Sequence, residues 1–153
     1  PEGEAGRPAR GAPAGHRRGS AQVTGLPTQL LLVMLGGALG AAGRYWLGGI
    51  LLRQFGNGIP YGTLAVNLIG SFAVGFIAVW LEGRGPQALY WRAFLIVGLL
   101  GGLTTYSALM LECLLMARSH RQDVLLGYLG GTVVAGLLLV WAGARLAELL
   151  RST

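Results

Sequence analysis

The sequence predicts an all-α integral membrane protein with four transmembrane helices in each subunit. Hydrophobic residues make up 53% of the 153-residue chain, and charged residues only 12%. The apolar residues fall into four runs, each close to the roughly 20 residues that a helix needs to cross a bilayer core. The 27 glycines would weaken a soluble helical protein, whereas in a membrane they let helices approach closely.

Residues 1–27 precede these runs and contain much proline, glycine, alanine and arginine but no aromatic residue. Such a segment cannot bury enough apolar surface to offset its ordering entropy. We therefore expect a disordered N-terminal tail over 1–27 and a membrane domain over 28–153.

The four predicted spans are separated by short polar hinges. They cover about 29–52, 62–81, 93–116 and 124–150. Loops this short leave no room for a soluble active site, so any function must lie among the helices. The two histidines, His16 and His120, fall in the tail and in a hinge, and no nucleophile–base pair or metal cluster accompanies them. The sequence therefore does not predict an enzyme.

Glycines spaced four residues apart predict close helix packing. The pairs are Gly36 with Gly40, Gly98 with Gly102, and Gly127 with Gly131. Four helices form a thin assembly, so we expect a solute pathway to need a second subunit.

The net charge of +6 comes from arginines, because the sequence contains no lysine. Four of these arginines lie in the first 18 residues and most of the others border the apolar runs, and they do not form a basic stripe with aromatic residues. This placement predicts a multi-pass protein of the cell membrane and no nucleic-acid partner. The arginine bias favours both termini in the cytoplasm, and either a fixed or a dual orientation stays open.

Polar residues within the first two spans are few and therefore informative. Arg44 either extends to the interface beside Tyr45 or faces a watery vestibule where it attracts anions. Thr63, Asn67 and Ser71 recur at intervals of four and share one face of the second span. The Asn67 amide either joins two helices or donates to a desolvated anion.

The third span contains Gly101, Gly102, Thr104 and Thr105, which together form helices poorly. They predict a break in the helix, which is tolerated only where the freed backbone groups face protein, a cavity or an ion. Carbonyl oxygens at such a break would suit a monovalent cation better than zinc or calcium.

Further polar and aromatic residues follow the break. Tyr106, Leu109 and Glu112 are spaced three residues apart and share one face of the helix. The edge of an aromatic ring is its positive rim, so Tyr106 could present its ring edge to an anion. Glu112 could accept a proton, pair with an arginine or reach the interface. Tyr128 and Thr132 share a face of the fourth span, either as a track of donors or as packing residues.

Three sequence blocks and Tyr128, in this order and spacing, resemble the Fluc (CrcB) family of fluoride ion channels over about 30–150. The blocks read GGALGAAGRY, GTLAVNLIGSF and GLLGGLTTYSALMLE. The resemblance implies an antiparallel, dual-topology dimer in the cell membrane, with two fluoride pathways along the subunit interface. The channel would export fluoride and lower its cytoplasmic concentration.

The resemblance also implies roles for individual residues. Arg44 would lie near a vestibule, the donors of Asn67 would face fluoride, and a central sodium ion would bind the carbonyls of Gly101 and Thr104. Fluoride would also pass a set of side chains along the path: Thr63, Tyr106, Ser107, Leu109, Glu112, Tyr128 and Thr132.

The sequence departs from the family at Leu109, because the family has two phenylalanines whose places fall here on Tyr106 and Leu109. Either the chain forms a homodimer with a modified pathway, or it pairs with a paralogue that supplies the missing ring. Two other functions stay open: a proton-coupled exporter of the small multidrug-resistance kind, and a non-conducting structural partner of a paralogous channel subunit.

Overall fold

The computed structural model describes residues 18–152, and it describes side chains from residue 25 onward. These residues are almost entirely helical. Their elements are α1 (Arg18–Phe55), α2 (Tyr61–Trp80), α3 (Gln87–Trp91), a π-helix (Arg92–Leu100), α4 (Gly101–Leu103), α5 (Tyr106–Arg118) and α6 (Gln122–Ser152). Four helical regions within the described chain are long and apolar enough to cross a membrane: Gly25–Phe55, Tyr61–Trp80, Gln87–Arg118 and Gln122–Ser152. The predicted all-helical fold with four spans is confirmed.

The start of α1 differs from the predicted tail boundary. Residues 18–27 are helical, with Pro27 inside the helix. Extension of an existing helix adds one hydrogen bond for each residue without a new nucleation step, and a proline removes only one of these bonds. The rest of the predicted tail, 1–17, lies outside the described residues.

The third membrane-crossing region is irregular. It passes from α3 through the π-helix to α4, and its helical backbone stops at Leu103. Thr104 is extended, with φ −79° and ψ 156°, as is Thr105, with φ −151° and ψ 114°. Helical geometry starts again at Tyr106, so two extended threonines divide this region.

Glycines allow the α1 backbone to lie directly against the third region. A Cβ atom added at Gly36 would lie 2.3 Å from the Phe94 carbonyl oxygen, and one at Gly40 would lie 2.1 Å from the Leu99 carbonyl oxygen. On the opposite side of this contact, a Cβ at Gly102 would lie 2.5 Å from the carbonyl oxygen of Gly37. A side chain at any of these positions would force the two helices apart.

Helices α2 and α6 pack in the same way. A Cβ at Gly75 would lie 2.0 Å from the Val140 carbonyl oxygen, and one at Gly143 would lie 2.2 Å from the Phe72 carbonyl oxygen. The third predicted glycine pair behaves differently, because a Cβ at Gly127 or Gly131 would meet no described atom within 4 Å. This pair contributes to no helix contact within the described chain.

Candidate ion pathway

An open groove of about 380 Å³ lies beside the two extended threonines. It brings together side chains and backbone from α2, the third membrane region and α6. The lining residues are Asn67, Gly70, Ser71, Val74, Ile96, Leu100, Gly101, Thr104, Thr105, Tyr106, Leu109 and Thr132. The groove therefore gathers several of the residues that the sequence singles out.

Asn67 holds the extended segment in place through both ends of its side-chain amide. Its Nδ2 donates to the Thr105 carbonyl oxygen at 3.1 Å, and its Oδ1 accepts from the Thr105 N–H at 2.7 Å. A primary amide has two N–H donors, so this pairing leaves one of them for another acceptor. Asn67 thus replaces the helical hydrogen bonds that Thr105 has lost.

At the break, the C-terminal end of α4 presents backbone oxygen. The N–H and the hydroxyl of Thr104 both donate to the Leu100 carbonyl oxygen, each at 2.9 Å. Its own carbonyl accepts no hydrogen bond from any described residue. Gly70 makes room for this arrangement, since a Cβ there would lie 2.1 Å from the Thr104 methyl group.

The N-terminal end of α5 presents donors at the break. Thr105 caps α5, and its hydroxyl accepts from the Ala108 N–H at 3.2 Å. The first turn of a helix contains no acceptor for its own N–H groups, so those of Tyr106 and Ser107 stay without an intrahelical partner. Together with the helix dipole, these donors favour an anion at this end of α5. The Tyr106 side chain is 74% exposed at the edge of the groove.

Glu112 joins three helices on the far side of Asn67. Its carboxylate accepts a hydrogen bond from the Thr63 hydroxyl at 2.5 Å and one from the Tyr128 hydroxyl at 2.7 Å. The Thr132 hydroxyl in turn donates to the Tyr128 carbonyl oxygen at 2.6 Å. The hydroxyl protons of all three residues are therefore already paired.

Two smaller cavities border Glu112 at the end of the molecule where α5 and α6 are connected. One of about 240 Å³ is lined by Thr63, Tyr61 and the preceding loop. The other, of about 200 Å³, contains Asn57 and Arg121. Arg121 also donates to the Gly58 carbonyl oxygen at 2.9 Å. Glu112 thus lies between the interior of the protein and a polar mouth.

Two predicted residues occupy less polar surroundings. Leu109 is only 6% exposed and packs with Cys113, Met116 and Tyr128, although it also borders the groove. Arg44 is half-buried and makes no ion pair or hydrogen bond with a described residue. Its guanidinium group is outside the groove lining.

Sequence reasoning missed two contributions to this site. Thr105 is both the partner of Asn67 and the cap of α5, and the N–H groups of the first α5 turn are donors that no side-chain pattern reveals. Ser71 was recognised as part of the polar stripe on α2, and it lines the groove. The predicted helix break was the signal that could have identified the α5 terminus.

The fold and the site together define a multi-pass membrane protein whose polar groups gather at an irregular segment within the membrane. No cluster of three or more histidine, cysteine or acidic side chains that could hold a metal occurs among residues 18–152. Polar groups gathered at an irregular segment of membrane helices are typical of transport proteins that pass small ions.

The sequence matches the family described as "CrcB-like protein, Camphor Resistance (CrcB)" over residues 31–144. The chain belongs to the CrcB family. The matched range contains the second and third membrane-crossing regions, most of the first and fourth, and every residue of the groove.

Curated relatives carry the name "Fluoride-specific ion channel FluC". The protein of Xanthomonas axonopodis pv. citri (strain 306) is 54% identical over 120 residues, which cover 78% of this chain and 90% of the relative. The protein of Xylella fastidiosa (strain M23) is 56% identical over 117 residues, covering 76% and 88%. The protein of Caulobacter sp. (strain K31) is 43% identical over 122 residues, covering 79% and 95%.

Proposed function

We propose that this chain is a subunit of a fluoride-selective channel that lets fluoride leave the cell and so lowers its cytoplasmic concentration. The observation that carries the proposal is the 54% identity to a relative named as a fluoride-specific ion channel, over 90% of that relative's length. An ion channel is a transport protein, so the proposal assigns no enzymatic reaction.

Fluoride is small and strongly hydrated, so a pathway must replace its water with hydrogen-bond donors. The groove offers the second N–H of Asn67, the N–H groups at the start of α5 and the ring edge of Tyr106. None of these carries a full positive charge. An ion held by several weak sites can leave again, as conduction requires.

The pathway continues from the groove towards Glu112. Fluoride that reaches Thr63 and Tyr128 competes with the Glu112 carboxylate for the same two hydroxyl protons. Passage therefore requires these hydroxyls to turn from Glu112 to the anion and back. Thr132 and Ser107 extend the polar track on either side, and Arg44 attracts anions to a vestibule.

A sodium ion is proposed at the break, held by the carbonyl oxygens of Gly101 and Thr104. Both residues line the groove, and the Thr104 carbonyl lacks a hydrogen-bond donor among the described residues. Neutral oxygen ligands suit a weakly held monovalent cation. Such an ion would supply positive charge that holds the break together, while Asn67 fixes the adjoining residue.

The proposed assembly is an antiparallel pair of subunits, with the groove of each chain closed by the other. The groove is open along one side of the chain, and the ring of Tyr106 is exposed there although it adjoins polar groups. A homodimer explains the open groove and the exposed Tyr106 ring, because a second copy of the same chain would cover them. A paralogous partner is the alternative, because Leu109 is packed inward and has no ring to offer.

Reconstitution of the full chain alone into liposomes loaded with potassium fluoride tests the proposal. With valinomycin to carry potassium, a fluoride electrode should record rapid efflux, and liposomes loaded with chloride should retain their contents. Efflux no faster than in protein-free liposomes would exclude an autonomous channel and would favour a non-conducting partner subunit. Efflux that occurs only with a proton gradient would favour the proton-coupled exporter.

A further inference from the structure

Three arginines meet at the C-terminal end of α2, at the opposite end of the molecule from Glu112's polar mouth. They donate to three consecutive carbonyl oxygens in the last turn of the helix, of which the Val79 oxygen also accepts from the Glu82 N–H at 3.1 Å. These bonds are Arg92 Nη2 to Ala78 at 3.3 Å, Arg151 Nη1 to Val79 at 2.7 Å, and Arg84 Nε to Trp80 at 3.0 Å. The side chains thus concentrate positive charge at one point of the membrane interface.

Capping of α2 does not use up these guanidinium groups. Each has five N–H donors and spends one on a carbonyl oxygen. Glu82 lies 3.7 Å from Arg151, but Arg84 and Arg92 pair with no carboxylate among the described residues. Arg84 is exposed and stacks over the Trp80 ring, with its Cζ 4.6 Å from the ring centre. Its terminal nitrogens stay available to an anion.

Two grooves lie along α3, and one of them reaches this charged point. One, of about 560 Å³, has Arg84 at its mouth and Trp80, Leu81, Ala88 and Leu95 along its walls. The other, of about 440 Å³, adjoins the first along α3 and is lined by leucine, tyrosine and phenylalanine side chains. Gln87 and Trp91 line both grooves, so their side chains lie at the boundary between the two.

We propose that this end of the protein binds one anionic phospholipid. The phosphate contacts the free N–H groups of Arg84 and the amide of Gln87, and one acyl chain lies in each groove on either side of Trp91. Arg92 and Arg151 add attraction for the negative charge without contacting it. The site is independent of the fluoride pathway.

The apolar walls favour a lipid over a soluble anion. A free phosphate would gain nothing from grooves lined by leucine and tryptophan, whereas acyl chains replace water there at a gain proportional to the apolar area covered. Trp80 and Trp91 also belong to the residue type that lies at headgroup level in membranes. Basic pockets between membrane helices are typical sites for anionic headgroups.

Native mass spectrometry of the full chain in detergent, with equal amounts of phosphatidylglycerol and phosphatidylcholine, tests this site. The protein should retain phosphatidylglycerol in preference, and Arg84→Gln should lower its apparent affinity about fivefold, the effect of one arginine near a charged headgroup. Arg145→Gln is the matched control, because Arg145 stacks on Trp141 and pairs with Glu148, away from both grooves.

Two further variants leave the α2 cap intact. Ala88→Phe fills the larger groove without a change of charge, and Gln87→Leu removes a side chain that makes no hydrogen bond with a described residue. Both should weaken phosphatidylglycerol retention. Equal losses in Arg84→Gln and Arg145→Gln, or full retention by Ala88→Phe, would overturn the proposal. Displacement of the lipid by an equal concentration of glycerol phosphate would show a free-anion site instead.

Discussion

Asn67 shows how far a single residue can be interpreted from sequence. Its place on a polar stripe with Thr63 and Ser71 follows from helical spacing, and two alternatives, joining helices or donating to an anion, stay open at that stage. The structure shows the first directly, through Thr105, and leaves one amide N–H for the second. The partner could not be predicted, because it lies 38 residues away on an irregular segment.

Asn67→Asp is expected to lower fluoride efflux by at least about tenfold, or about 1.4 kcal/mol. The carboxylate still accepts from the Thr105 N–H, but it cannot donate to the Thr105 carbonyl and it places negative charge beside the groove. Gln122→Glu makes the same change of amide to carboxylate at the exposed start of α6 and should leave efflux intact. Undiminished efflux in Asn67→Asp would contradict the role of Asn67 as an anion donor.

The exposed ring of Tyr106 gives a test that separates conduction from folding. Tyr106→Phe keeps the ring edge and should retain efflux, whereas Tyr106→Leu removes the edge and should lower it about tenfold. Because the side chain is 74% exposed within its own chain, both variants should keep the unfolding free energy of the single subunit within about 0.5 kcal/mol of the parent. Liposome efflux and thermal unfolding measure the two effects. Normal efflux in Tyr106→Leu would remove the ring edge from the pathway.

At the scale of helices, glycine spacing was informative for some contacts and not for others. The pairs at Gly36/Gly40 and Gly98/Gly102 lie where α1 meets the third region, but the pair at Gly127/Gly131 contacts no described helix. Spacing alone cannot separate these cases, since it does not tell which face of a helix meets a neighbour. Likewise, weak helix formers located the extended threonines, but no comparable signal indicated the π-helix at Arg92–Leu100.

Alanine substitutions at two glycines should change stability in opposite directions. A Cβ at Gly40 would meet backbone atoms 2.1 and 2.7 Å away, so Gly40→Ala should cost about 1–3 kcal/mol as α1 is pushed outward. Gly127→Ala meets no atom and should stabilise α6 by up to about 1 kcal/mol through helix propensity. Unfolding of both variants in one detergent, followed by circular dichroism, measures the difference. Shifts of the same sign would argue against the close packing of α1.

At the scale of the whole chain, composition and run length predicted four spans, and the structure has four apolar helical regions within 18–152. The subunit arrangement could not be predicted in the same way, because apolar side chains on the surface suit both lipid and another subunit. The open groove and exposed Tyr106 favour a second subunit. Orientation is the property that separates an antiparallel homodimer from a pair of paralogues.

The arginines give only a weak preference for one orientation, so we expect both orientations in cells. Within the described chain, one end has Arg84, Arg92, Arg145 and Arg151, and the other has Arg53, Arg118 and Arg121. Single cysteines at Ser119 and Ser152 mark the two ends, and the parent chain is the control because Cys113 is buried.

An impermeant maleimide applied to intact cells should label both variants in part, and permeabilisation should complete the labelling of each. The reason is that an antiparallel homodimer needs as many chains inserted one way as the other, so each end must appear on both sides of the membrane. Labelling of Ser119→Cys alone from outside would mean that every chain has its termini in the cytoplasm. Two such chains cannot pair antiparallel, and the missing half of the pathway would then have to come from a paralogue inserted the opposite way.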